Sequence, residues 1–110
     1  MLDVVFHALA HDARREMLHR LAAGDLTVGE LAAPLQMSLA AASKHLKVLE
    51  QAGLVRRTVT GRRHVCRLKP EPLSGAVAWL RFYEHFWDER LNALQDAVER
   101  ANAFDDEESQ

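Results

Sequence analysis

A chain of 110 residues, 48% hydrophobic and 27% charged, suits one globular domain with a modest core. It has no apolar run near the length of a membrane span, no basic-then-apolar signal pattern at its start, and a single cysteine, Cys66, which excludes an internal disulfide framework. The expectation is a cytoplasmic protein with no membrane partner. The net charge of −2 argues against a nucleic-acid binder only until it is mapped. Ser38 to Lys69 holds eight Lys/Arg and one acid, Glu50, so +7, while the remainder holds six Lys/Arg and fifteen acids, so −9. A basic face on an acidic body is the electrostatic footprint of a polyanion binder, and a chance cluster of solvated charges is the alternative.

Leu2, Val5, Phe6 and Leu9 fit an amphipathic first helix. His11-Asp12 interrupts it, and Asp12 suits the cap of a second helix running to about Ala23, with Ala13, Met17, Leu18, Leu21 and Ala22 inward. Gly24-Asp25 stops that helix, and Leu26-Thr27 is a short connection or a minimal strand. Thr27-Val28-Gly29-Glu30 has the spacing of a capping box. The helix it starts is short, with Val28, Leu31, Ala32 and Leu35 inward, and Pro34 helps to end it. Gln36-Met37 then turns the chain into Ser38.

Ser38 to Gly53 reads as one helix with two unlike faces. Leu39, Ala42, Leu46 and Leu49 form an apolar stripe, while Ala40, Lys44, Lys47 and Gln51 fall opposite. Ser38 suits the N-cap and Gly53 the position past the C-terminus. Ala40 and Ala41 keep the first turn thin, and Ser43, Lys44, His45 and Lys47 supply donors. A slim, basic helix after a short helix and a tight turn is the pattern of a DNA recognition helix; a solvated amphipathic helix is the bland alternative. Leu54–Val59 and Arg63–Leu68 are β-branched and basic around Thr60-Gly61-Arg62, which predicts a β-hairpin. Its five arginines, Arg56, Arg57, Arg62, Arg63 and Arg67, make it a candidate wing for phosphates or the minor groove.

Pro70-Glu71-Pro72 ends the strand pattern. From Leu73 to about Phe104 one stripe runs Leu73, Val77, Leu80, Trp87, Leu91, Leu94, Val98, Ala101, near a heptad but interrupted at Glu84, beside a second of Ala76, Trp79, Tyr83 and Phe86. One helix of that length spans on the order of 45 Å, more than a small domain covers, so a second copy is the economical partner. The predicted fold is mainly α with a small β-hairpin: a winged helix-turn-helix domain over 1–72, a long C-terminal dimerisation helix over 73–104, and an acidic disordered tail over 105–110. Leu2, Phe6, Val77, Leu80, Tyr83 and Trp87 are the expected dimer interface.

The run FHALAHDARREMLHRLAAGDLTVGELAAPLQMSLAAASKHLKVLEQAGLV, followed by the basic GRRHVCRL, resembles the ArsR-type winged-helix transcriptional repressors of bacteria. The match lies in F-x-A-L-A, R-R-x-x-x-L, L-T-V-x-E-L-A and S-x-H-L-x-x-L-x-x-A-G-L-V, and covers about residues 4 to 72. The W-L-x-x-Y-x-x-F-W closing segment is similar to the subgroup that includes the repressor of the sporulation-delay immunity operon. The resemblance implies a homodimer that binds a roughly palindromic operator in double-stranded DNA and represses transcription, often of its own operon. Many members sense metals, yet where they carry a C-x-C pair this chain has Leu31-Ala32-Ala33-Pro34, without a thiolate for a soft metal. An atypical site combining His85 with His7 or His11 is the metal-responsive alternative, against capping or surface roles. Cys66 lacks the partner cysteine of the redox-sensing members and reads as a small, partly buried strand residue, with a low-pKa thiol among the arginines as the alternative.

The expected DNA-binding residues are Ser38, Ala40, Ala41, Ser43, Lys44, His45, Lys47, Arg62, Arg63 and His64, with no metal or other cofactor. A winged-helix module for an acidic protein partner is the competing reading. No phosphate-binding glycine loop, nucleophile elbow or metalloprotease motif supports an enzyme.

Overall fold

The computed structural model describes the backbone of residues 2–108 and the side chains of residues 2–103. The chain forms two compact units, Met1–Ala76 and Val77–Gln110. The first contains α1 (Leu2–Leu9), α2 (Asp12–Leu21), β1 (Leu26–Thr27), α3 (Val28–Ala32), a 3-10 turn (Ala33–Leu35), α4 (Leu39–Gln51), β2 (Val55–Thr60) and β3 (Arg63–Leu68). The unit boundary falls within α5 (Leu73–Arg81), and α6 (Glu84–Glu108) follows.

Local chemistry explains the helix ends. The Thr27 hydroxyl accepts from Glu30 N at 3.2 Å while the Glu30 carboxylate accepts from Thr27 N at 3.0 Å, so the capping box is complete. Ser38 Oγ accepts from Ala41 N at 3.1 Å and opens α4. At the other end Gly53 takes φ +75, and a Cβ there would meet Pro72 Cγ at 3.3 Å, so both conformation and close approach call for glycine. The cap of α2 differs from the sequence reading: His11, not Asp12, is in the extended conformation, and its Nδ1 accepts from Ala13 N at 3.1 Å. Asp12 is instead the first helical residue, where its charge suits the helix dipole and it pairs with Arg15.

The core gathers Val5 and Ala8 of α1, Met17, Leu18 and Leu21 of α2, Leu31 and Ala32 of α3, Ala42, Leu46 and Leu49 of α4, and Cys66 of β3. Leu39, expected in the α4 stripe, is 62% exposed. Its direction on the helix is right, about 20° from Leu46, but the segment opposite is Gly29, which has no side chain to cover it; a Cβ there would lie 3.9 Å from Leu39 Cδ2. Ala22, expected inward at the end of α2, is also exposed.

Arg14 is a buried charge at 9% exposure. Its Nε donates to Ala8 O at 2.6 Å and one Nη to His7 O at 3.0 Å, while Arg15 donates to Leu9 O at 2.8 Å. Two arginines thus donate to carbonyls of the last turn of α1, of which His7 O also accepts from Ala10 N at 3.2 Å.

The strands form an antiparallel sheet in the order β1-β3-β2. Leu26 pairs with Cys66 and Thr27 with Val65, so the two-residue β1 adds a third strand along the middle of the hairpin. The β2–β3 register runs from Val55↔Leu68 to Thr60↔Arg63, closing on Gly61-Arg62, with Gly61 at φ +62.

The closing segment is two helices where the sequence reading has one. Beyond Arg81 the chain turns through Phe82-Tyr83; Tyr83 N donates back to Leu80 O at 3.0 Å, a tighter three-residue step, and α6 then starts at Glu84, where the heptad is interrupted. Aromatic contacts fill this turn, a tilted Trp79–Tyr83 pair at 5.0 Å and an edge-on Phe82–Tyr83 pair at 4.9 Å between ring centroids. The backbone of α6 is helical to Glu108, into the segment read as an acidic tail; Ser109 and Gln110 lie outside the described residues.

Candidate nucleic-acid interface

The buried side chains of α4 leave its other faces to different environments. Ser38, Ala40, Lys44 and Lys47 are exposed, while Ala41 is partly covered at the start of the helix. Ser43 and His45 stand on opposite margins of the buried stripe, roughly 90° and 70° from its middle. The structure therefore separates donors that sequence reasoning grouped: Lys44 and Lys47 face outward, Ser43 faces the hairpin, and His45 turns toward α2.

On the hairpin side, Arg57 Nε donates to Glu50 Oε1 at 2.7 Å and an Nη to Ser43 Oγ at 3.5 Å. The Arg57 side chain is 18% exposed and its charge is matched by Glu50. Arg67 is also committed, donating to both carboxylate oxygens of Asp25 at 2.9–3.3 Å. The Arg67 guanidinium bonded to Asp25 holds that carboxyl below its usual range. Two of the five hairpin arginines thus tie the fold together, whereas Arg56, Arg62, Arg63 and His64 are exposed. Arg62, Arg63 and His64 rim a cleft of about 440 Å³ between the hairpin and α4, which Leu39, Ser43 and Gly29 also line.

On the other side, His45 Nδ1 lies 3.3 Å from an Nη of Arg14, and its ring packs on His11 at 4.4 Å between centroids. Since arginine only donates, Nδ1 is the acceptor and the ring proton belongs on Nε2, an assignment made from the partner. Burial, then the neighbouring His11 and Arg14, push the His45 imidazole below its ordinary value and favour its neutral form. Cys66 is fully buried opposite Arg57 in the register, and burial pushes its thiol up, the reverse of a reactive cysteine.

Among the described residues, no three His, Cys, Asp or Glu side chains converge as a metal site. His11 is engaged with Ala13 N and His45, and His85 lies 3.0 Å from Glu89 one turn along α6. Of the expected dimer residues, Leu2 and Phe6 are half-buried on α1, whereas Val77, Leu80, Tyr83 and Trp87 are exposed in the second unit. The links Arg57–Glu50, Arg67–Asp25 and Arg14–His45 were not anticipated from sequence; only the rarity of acids in the basic stretch singled out Glu50.

A helix-turn-helix domain family matches residues 9–58. The chain is 39% identical over 97 residues to the HTH-type transcriptional regulator Rv2034 of Mycobacterium tuberculosis, covering 88% of each chain. It is 30% identical over 79 residues to the transcriptional repressor SdpR of Bacillus subtilis, covering 72% of this chain and 88% of that one. The crystal structure of the ArsR family transcriptional regulator RHA00566 superposes with a TM-score of 0.72 at 39% identity, covering 79% of this chain and 90% of that one. Among the described residues no helix is long and apolar enough to cross a membrane. With the short α3, the capped α4 and the arginine hairpin in place, this similarity along most of both chains shows that the protein belongs to the ArsR-type winged helix-turn-helix transcriptional regulators, a non-enzymatic class.

Proposed function

We propose that the chain is a cytoplasmic homodimeric repressor that inserts α4 of each copy into successive major grooves of a palindromic operator. The observation that carries this is the outward side of α4: Ala40, Lys44 and Lys47 are exposed beside a hairpin tip bearing Arg62, Arg63 and His64. The alanines let the backbone approach base edges and thymine methyls, the lysines reach bases or phosphates, and the tip arginines meet backbone or minor groove. Ser38, at the thin end of the helix, offers its backbone and hydroxyl to the nearest phosphate. Pairing of copies is supported by the apolar surface of the second unit, where Leu80, Trp87, Leu91 and Leu94 are each more than half exposed.

The test is selection of bound duplexes from random sequence, followed by gel shift of the enriched and scrambled duplexes over a salt series. Salt-sensitive binding with preference for an inverted repeat is expected. Lys44→Ala is expected to cost about 1–3 kcal/mol per half-site on the enriched duplex, and less on scrambled DNA, if it touches a base. Salt-insensitive or absent duplex binding would refute the reading in favour of a module for an acidic protein.

A further inference from the structure

We propose that Leu39 determines sequence specificity by packing against the 5-methyl group of a thymine in the major groove. The inference rests on the DNA-binding reading and goes beyond it. Leu39 is the first residue of α4 and, among the described residues, the one large apolar side chain exposed on α2, α3 or α4. Its exposure of 62% contrasts with complete burial of Leu46 and Leu49 further along the same helix. The fold leaves it uncovered, because the nearest segment presents Gly29. It lies about 40° from Ser43 around α4, and both line the cleft rimmed by Arg62, Arg63 and His64. A branched hydrocarbon ringed by donors contributes little to the core of the unit. Facing a groove edge, its one methyl counterpart there is that of thymine; apart from the small C5–H of cytosine, the other edge groups are hydrogen-bond donors and acceptors. The first residues of a recognition helix are those that reach base edges.

Replacing thymine by uracil removes that methyl and leaves Watson–Crick pairing intact. In the duplex enriched by selection, each thymine is replaced in turn, symmetrically in both half-sites. One position is expected to weaken wild-type binding by about fourfold per half-site, the equivalent of about one methyl group no longer buried. Leu39→Ala should bind the thymine and uracil duplexes equally, with unchanged thermal stability, whereas Leu39→Met should keep the discrimination. The proposal is overturned if no thymine position discriminates, if Leu39→Ala discriminates as the wild type does, or if Ala40→Gly rather than Leu39→Ala abolishes the effect. Failure to enrich any duplex would instead refute DNA recognition itself, so the two failures are distinguishable.

Discussion

Charged side chains of one type serve different ends within a few residues of each other. Arg57 points inward to Glu50 and Ser43, while Arg62 and Arg63 stand exposed at the turn. Arg57→Met is therefore expected to lower stability by about 1–2 kcal/mol, a buried-pair loss discounted for Glu50's partial exposure. It should leave the salt dependence of DNA binding unchanged. Urea unfolding and a salt series on the same variant check both halves, and a reduced salt slope would place Arg57 on a phosphate instead. His45 predicts a pH effect. Its pKa is depressed in the fold, so the neutral form contributes stability that is fully present above the unfolded value, about 6.5, and is lost as pH falls from there toward the folded pKa. Melting temperature should drop on acidification in this window, and the drop should be smaller in His45→Gln; equal drops would remove His45 as the cause. Residue roles were legible in the sequence only where the partner is near. Thr27 with Glu30 and Ser38 with Ala41 are three residues apart and follow from composition. Arg67 and Asp25 are 42 apart, and Arg14 and His45 are 31 apart, so nothing local distinguishes these arginines from solvent-exposed ones.

At the scale of elements, caps decide where the short helices begin. α3 has five residues and cannot hold its shape by helical propensity alone, so Thr27→Ala should destabilise the first unit by about 1 kcal/mol. Thermal or urea unfolding measures this, and a neutral substitution would show that packing of Leu31 and Ala32 suffices. For the hairpin, Arg63→Ala should lower the slope of log affinity against log salt by roughly 1.8, about 0.9 for each copy of a dimer that loses one phosphate contact. Enriched and scrambled duplexes should weaken alike, since phosphate contacts carry no sequence information. An unchanged slope would take Arg63 off the backbone. Periodicity located α4 and both long strands, yet it placed Leu39 in the core: a wheel gives direction, whereas burial also needs a side chain opposite, and Gly29 supplies none. The break at Phe82-Tyr83 left a trace, the heptad interruption at Glu84, but a skip in an apolar stripe can lie within one helix as well as between two.

At the scale of the whole molecule, the basic and acidic segregation read from sequence maps onto elements: the stretch from Ser38 to Lys69 is α4 and the hairpin, and acids dominate the rest. Leu80→Glu is expected to abolish homodimers, giving monomers with weak operator affinity, because a charge on an exposed apolar patch costs little in a monomer but is desolvated at an interface. Sedimentation at micromolar concentration checks it, and an intact dimer would move the interface away from Leu80. Because β1 pairs with β3 only at Val65 and Cys66, the hairpin is three-stranded at its two middle rungs and a two-stranded ribbon from His64 outward. The ribbon is a cantilever about two rungs long, roughly 7 Å, clamped by the same Thr27 that starts α3. Its tip can therefore follow variation in groove width while its root, and with it the placement of α4, stays fixed.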